Sequence, residues 1–279
     1  MRESLLLWFL YKTALGRMIL KLLVQPKVSK AAGHYLSSRA SKWIVPYYIR
    51  KHKIDMNDIE IPSEGFSSFN DFFTRKRKTE CFDVTYGHLI SPCDGFLSFV
   101  KIAEGTVLDI KNTRFTLDDL LKDHELASQF REGSALIFRL TPADYHRYCY
   151  MADGKIILHR KIQGVLHCVR PIAFRAVPVF VQNSREYQVI ETERFGTVIQ
   201  MEVGALLVGK IRNDVSAFKS VYVQSGKEKG YFEFGGSTII MLLQKNTIYF
   251  NENLYKKQNR DGEIPVCMGE YVARAKKEK

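Results

Sequence analysis

The chain has 279 residues, 46% hydrophobic and 26% charged, with 18 glycines and 8 prolines, a composition that supports a packed core and excludes a disordered or collagen-like chain. Its five cysteines (Cys81, Cys93, Cys149, Cys168, Cys267) are odd in number and contain no C-x-x-C pair, which argues against a disulfide scaffold or thiolate zinc site and for a reducing compartment. The formal charge is +12, and residues 1–53 hold eleven Lys or Arg against the single acid Glu3, so the basic character is N-terminal and calls for an anionic partner there.

The first apolar run, Leu5 to Tyr11, is interrupted by Lys12, Arg17 and Lys21, well short of the roughly 18 apolar residues that a membrane span needs. No small-residue cleavage site follows, which argues against a secretory signal. On a helical wheel, Lys12, Thr13, Gly16, Arg17 and Lys21 share one half, while Leu7, Trp8, Tyr11, Ala14, Leu15, Met18, Ile19 and Leu22 share the other. That pattern predicts an amphipathic helix whose apolar face lies in a membrane interface or docks on the protein's own core. The stretch Trp43 to Tyr48, flanked by Lys42 and Arg50, favours an anionic membrane surface. No zinc-finger spacing or aromatic RNA-binding motif occurs, so nucleic acid is not expected as a partner. Residues 1–60 are therefore read as a helical membrane-associating region, placing the protein peripherally on the cytoplasmic face of the cell membrane.

From about residue 85 the chain becomes short runs of Val, Ile, Phe and Tyr punctuated by Gly, Asp and Asn. The runs Gly95–Ile102, Ala135–Leu140, Lys155–Leu158, Tyr187–Thr192, Gly196–Val203, Ala205–Ile211, Ala217–Val223 and Ser237–Leu243 predict closely spaced strands. One helix is expected at Thr116–Leu121, capped by Thr116, and the Lys/Glu-rich tail beyond about Gly269 is expected to fray. The fold class is α+β: N-terminal amphipathic helices, then a mostly antiparallel β core, sandwich or barrel-like, over residues 61–279.

Four stretches carry candidate chemistry: Ser91-Pro92-Cys93-Asp94-Gly95, Asp144-Tyr145-His146-Arg147, Val203 to Gly209, and Gly235-Gly236-Ser237-Thr238. Singly, each has an ordinary structural explanation as a turn, a buried hydrogen bond or a bulge. None matches a phosphate loop, a dinucleotide fingerprint or a metal-ligand spacing. In order, however, they resemble the phosphatidylserine decarboxylase family. Phe69-Asn70-Asp71-Phe72-Phe73-Thr74-Arg75 is similar to its F-x-x-F-F-x-R element, Ser91 to Gly95 to S-P-x-D-G, and Arg139 to Arg147 to R-L-x-P-x-D-Y-H-R. Phe234-Gly235-Gly236-Ser237-Thr238 is similar to the G-S-T self-cleavage site.

The resemblance implies a chemistry. Decarboxylating an amino acid leaves electrons on the α-carbon, so a conjugated electron sink is required. In this family the sink is a pyruvoyl group that the chain makes from its own serine. Here the Ser237 hydroxyl would attack the Gly236 carbonyl, giving fragments 1–236 and 237–279 that stay associated, with pyruvoyl at position 237. A serine hydroxyl needs a base, and the resemblance supplies His146 in that role with Asp94 as its orienter. Many family members carry a second histidine in D-Y-H-R-x-H. This chain has Cys149 there, which directs attention to His146, Cys149 or His167. The implied activity is conversion of phosphatidylserine to phosphatidylethanolamine and carbon dioxide, with a phospholipid substrate and no metal. A homodimer is compatible with it. The alternatives are an unprocessed lipid-surface-binding relative, or a pyruvoyl decarboxylase of another serine-headed lipid. Arg75, Arg147 and Arg185 are phosphate-binding candidates by charge.

Overall fold

The computed structural model describes residues 5–103, 107–110, 113–169, 171–206, 210–214, 220–234 and 237–276. Helices lead: α1 (Leu5–Lys12), α2 (Ala14–Leu23), α3 (Pro26–Leu36), α4 (Ile44–His52) and the short α5 (Phe69–Phe73). The single amphipathic helix expected at the N-terminus is two helices. Thr13 leaves helical conformation (φ −103°, ψ 155°), and its Oγ1 accepts from the Gly16 amide at 2.9 Å and donates to the Phe9 carbonyl at 2.9 Å. A threonine that caps a new helix start competes with continuing the old one. The break redistributes the apolar face. Leu10, Tyr11, Leu20 and Val24 enter the core, whereas Leu5, Leu6, Trp8, Leu15, Met18 and Leu22 stay exposed. Tyr11, on the apolar half of the wheel, docks on the core: its hydroxyl accepts from the Cys168 amide at 3.0 Å and sits 3.3 Å from His167 Nδ1.

The rest of the chain runs β1 (His88–Ile90), β2 (Gly95–Lys101), β3 (Val107–Ile110), β4 (Thr113–Thr116), α6 (Leu117–Leu121), α7 (His124–Ser128), β5 (Ser134–Leu140), β6 (Arg147–Cys149) and β7 (Gly154–Ile162). It continues through α8 (Pro171–Phe174), α9 (Val179–Gln182), β8 (Arg185–Thr192), β9 (Gly196–Val203), β10 (Ile211–Asn213), β11 (Tyr222–Val223), β12 (Glu228–Phe232), β13 (Ser237–Leu243), β14 (Ile248–Phe250), β15 (Ile264–Val266) and β16 (Tyr271–Ala275). Eight strands form one antiparallel sheet in the order β11-β7-β8-β9-β13-β5-β2-β15. The α+β class holds, and the sheet is open rather than a closed barrel. Its edge strands β11 and β15 are only two and three residues long, too short to pair with each other and too short to recruit a foreign strand.

Side chains alternate across the sheet. One face carries Thr238, Ile240, Val203, Met201 and Tyr187 toward α6, where Arg185 donates to the Asp119 and Leu120 carbonyls and Tyr187 to that of Leu121. The other face carries Ser237, Ile239, Glu202, Gln200 and Gln188 and is covered by a smaller sheet, β10-β12-β6. The two sheets are stitched by polar groups: Gln200 bonds the Cys149 carbonyl (2.9 Å) and the Met151 amide (3.2 Å).

The Thr116 cap forms as expected, accepting from Asp119 N at 3.0 Å. The tail does not fray at Gly269. Its buried Val272, Ala273 and Ala275 form β16, paired with β1 on one side and β14 on the other. The expected strands Ala205–Ile211 and Ala217–Val223 fall partly on residues 207–209 and 215–219, outside the described residues. What is described there is β10, starting at Ile211, and β11.

The Arg139 guanidinium, on central strand β5, grips Glu263 with Nε–Oε1 at 2.9 Å and Nη2–Oε2 at 2.7 Å, both side chains nearly buried. Removing one partner of such a pair strands the other charge. Glu263→Gln is expected to lower stability by about 3 kcal/mol, read from the midpoint of urea unfolding.

Candidate active site

Ser237 heads β13, opposite Leu140 of β5, and is fully buried. Its Oγ has no hydrogen-bond partner among the described residues. A buried hydroxyl normally finds a partner, and the adjoining Thr238 hydroxyl also has none. Gly236, the other half of the expected cleavage site, lies outside the described residues. Asp94 stands at the same end of the sheet. β2 pairs Phe96 with Arg139 while β13 pairs Ser237 with Leu140, so the backbones at 95 and 237 flank β5 and are two strand spacings, roughly 10 Å, apart. Gly95 allows the close approach. Its φ is +144°, and a Cβ there would sit 2.6 Å from the Arg139 carbonyl oxygen.

The Asp94 carboxylate is held by a forked ion pair with Arg77, in which Nη1 meets Oδ1 at 3.2 Å and Nη2 meets Oδ2, and by the Met268 amide at 2.9 Å. Arg77 in turn lies 4.4 Å above the Tyr145 ring. His146 is oriented differently from expectation. Its Nδ1 bonds the Asp144 carbonyl oxygen at 2.8 Å, an atom that only accepts, so Nδ1 carries a proton. The expected Asp94–His146 orienting pair is thus replaced by two separate ones. A guanidinium presents a forked pair of N–H groups to a carboxylate and wins it over a single imidazole N–H.

The short helix α5 explains the F-x-x-F-F-x-R stretch. Ser68 caps it at the Asp71 amide, and Asn70 Oδ1 accepts from the Phe234 amide at 3.1 Å. Phe69 and Phe73 contact Phe234 edge-on at 5.0 and 5.2 Å, and Phe73 lies on the His146 ring at 4.0 Å. Beyond the helix, the Thr74 carbonyl takes Arg147 Nε at 2.9 Å. One turn of helix therefore fixes both the histidine loop and the segment that leads to Ser237.

The other candidates separate cleanly. Cys149 is buried beside Ile90, Tyr145 and Met268, with Sγ 3.9 Å from the Ser91 carbonyl. Burial pushes its thiol well up, so it is a packing group and not a base. The His167 ring lies against Tyr11, with Nδ1 3.3 Å from its hydroxyl, Asn183 holds the His167 backbone on both sides, and burial lowers the basicity of the imidazole. Arg185 spends its guanidinium on four backbone carbonyls inside the core, which excludes it as a phosphate ligand. Arg147 is paired with Glu228 at 2.7 Å.

A match to the family model for phosphatidylserine decarboxylase covers residues 69–274. The chain belongs to the phosphatidylserine decarboxylase family. It is 42% identical over 268 residues to phosphatidylserine decarboxylase proenzyme 2 of Clostridium acetobutylicum, covering 95% of this chain and 90% of that protein. The phosphatidylserine decarboxylase proenzyme of Ruminiclostridium cellulolyticum is 38% identical over 94% of this chain and 89% of its own length. That of Clostridium kluyveri is 36% identical over 97% and 92%.

Beside the decarboxylase motifs lies a polar cluster that sequence reading passed over. Between the sheets, Lys229 Nζ meets Glu202 Oε2, and Asn213 bonds Lys229 (3.1 Å), Glu202 (3.1 Å) and Glu186 (2.8 Å). His159 Nε2 and Lys161 Nζ reach Glu186 at 2.7 and 3.2 Å. Its sequence signal was the spacing of Glu186 and Gln188 on β8 and of Gln200 and Glu202 on β9, polar residues two apart that share a strand face.

Burial alone would raise the Glu186 carboxyl, but the hydrogen bonds from His159 and Asn213 and the charge of Lys161 outweigh it and hold it at about 2, against an ordinary 4.5. A depressed carboxyl contributes stability that is present above its unfolded value and lost as pH falls toward the folded one. Between pH 4.5 and 2 this group should therefore lose about 3 kcal/mol. Denaturant unfolding across that range should show a flatter acid limb for Glu186→Gln than for the unaltered chain.

Proposed function

We propose that this chain is a self-processing, pyruvoyl-dependent carboxy-lyase that converts phosphatidylserine to phosphatidylethanolamine and carbon dioxide at a membrane surface. The observation that carries the reading is Ser237 itself: a buried, unengaged hydroxyl at the head of a central strand, within a chain of this family. The site suits the group it would hold. Seven cross-strand pairs to β5 and six to β9 anchor β13, so position 237 keeps its place once the chain is cut before it.

A pyruvoyl group at 237 would supply the electron sink that carbon dioxide loss requires. The remaining duties fall on side chains already described. His146, positioned by the Asp144 carbonyl and the Phe73 ring, is the acid–base group that manages the proton at the substrate carbon. Asp94 joins the fragments, because Arg77 belongs to 1–236 and Met268 to 237–279. Arg139 with Glu263 joins them again. These ties, with the strand pairing, support two fragments that remain one body.

The exposed Leu5, Leu6, Trp8, Leu15, Met18, Leu22, Trp43 and Tyr47 are interleaved with exposed Lys12, Arg17, Lys21, Lys42 and Lys51. Apolar residues within a cationic field suit the interface of an anionic bilayer. Among the described residues no helix is long and apolar enough to cross a membrane; the cationic N-terminal surface supports a peripheral arrangement on the cytoplasmic face.

Two measurements test this. On a denaturing gel the purified chain should run as fragments of 236 and 43 residues, the smaller with a blocked N-terminus, and Ser237→Ala should run intact without lyase activity. An unaltered chain that folds and stays whole contradicts the reading. In flotation with phosphatidylglycerol-containing vesicles, Trp8→Ser with Leu22→Ser should weaken binding by about tenfold or more, and high salt should weaken it further. Unchanged flotation would remove the N-terminal helices from the membrane contact.

A further inference from the structure

Self-cleavage at Ser237 begins when a base removes the hydroxyl proton, and the sheet register places a carboxylate on the same face of the sheet as that hydroxyl. In the β9–β13 ladder Thr238 pairs with Val203 and Ile239 with Glu202. Residues opposite each other share a face, as do residues two apart. Glu202 therefore lies on the Ser237 face as its diagonal neighbour on the next strand, roughly 7–8 Å away, a separation that long side chains bridge.

The polar cluster fixes how this glutamate is used. Lys229 Nζ and Asn213 Nδ2 both engage Oε2, and Lys229 and Glu202 are fully buried. The other oxygen, Oε1, is also buried and has no hydrogen-bond partner among the described residues. Among the buried polar atoms without a hydrogen bond on this face are the Ser237 Oγ donor of β13 and the Glu202 Oε1 acceptor of the neighbouring strand β9. Burial raises the Glu202 carboxyl despite its cationic neighbour, which strengthens it as a base. Cys149 is an apolar packing group, and Asp94 is committed to Arg77 and Met268.

Resting on the Ser237 reading above, we infer that Glu202, braced by Lys229, is the group that takes the Ser237 hydroxyl proton. The proton passes from Oγ to Oε1 as Oγ bonds to the Gly236 carbonyl carbon. It then returns to the Ser237 nitrogen as the carbon–nitrogen bond breaks, leaving an ester and a free amine. Loss of the Ser237 α-proton expels the Gly236 carboxylate from Cβ, and one water then converts the remaining enamine to pyruvoyl and ammonia. Glu202 acts at the first of these stages, so a chain without its carboxylate stalls as an intact amide.

The test follows processing, not lyase activity, in the full chain. Glu202→Gln combined with Lys229→Met removes the base and its counter-charge together, so no lone charge is left between the sheets. This variant should fold, as judged by circular dichroism and a cooperative melt, yet cleave about 100-fold or more slowly. It should also resist hydroxylamine, which cuts esters and would release residues 1–236 from an ester-linked chain. Glu202→Asp keeps the pair with Lys229 but draws the carboxylate back by one carbon, and it should fold and cleave about tenfold or more slowly. Cleavage of either folded variant at the unaltered rate overturns the inference, and so does accumulation of a hydroxylamine-sensitive ester. An unaltered chain that never cleaves overturns the Ser237 reading and this inference with it. Cleavage of both the unaltered chain and the Glu202 variants overturns the inference alone.

Discussion

The pairing of β13 on both sides is the constraint from which the site follows. A buried strand must satisfy every backbone N–H and C=O, and β13 does so against β5 and β9 with all seven of its residues buried. Its register cannot slip by one residue without exchanging the faces on which Ser237 and Thr238 lie. The same ladders bring Leu140 and Glu202 alongside, and one strand further on they bring Asp94. Ser237, the turn that approaches it and Glu202 are thus placed by main-chain hydrogen bonds.

The space between the two sheets is filled by charge and amide groups as well as by hydrocarbon. Glu202, Lys229, Asn213, Glu186 and Gln200 form a connected network there, and a buried ion pair of this kind rarely adds net stability over an apolar pair of equal volume. Its retention is intelligible if the layer is a reaction site, where a fixed charge distribution next to the reacting atoms matters more than a few kcal/mol of folding energy. Apolar burial elsewhere offsets the cost. The opposite face of the sheet packs on α6 and its neighbours through Tyr187, Val189, Met201 and Leu242.

The N-terminal helices serve two surfaces at once. Tyr11 and Leu20 bind them to the core, and α5 links the third and fourth helices to Phe234, three residues before Ser237. The exposed Trp8, Leu15 and Leu22 remain on the outside among lysines and arginines. A separate aromatic cluster of Tyr48, Phe69, Phe73 and Phe234 joins α4 and α5 to the segment before Ser237.

Local chemistry was legible in the residues themselves. The Gly-Gly-Ser-Thr stretch, the Asp-Gly turn, the Thr116 cap, the strand runs around Ser237 and the cationic N-terminus all follow from side-chain and backbone preferences that act over a few residues. The ordered motifs named the family. What the sequence could not carry was partner choice between distant segments. A threonine at position 13 reads as one more helical residue until its hydroxyl is seen capping α2. Arg77 has no special spacing to Asp94, yet its forked guanidinium takes that carboxylate and leaves His146 to a backbone carbonyl. Polar residues two apart, Glu186 and Gln188 on β8 and Gln200 and Glu202 on β9, mark a shared face, and only the packing of a second sheet over it makes Glu202 a buried carboxyl. Periodicity tells which residues share a face, whereas tertiary packing decides what that face meets.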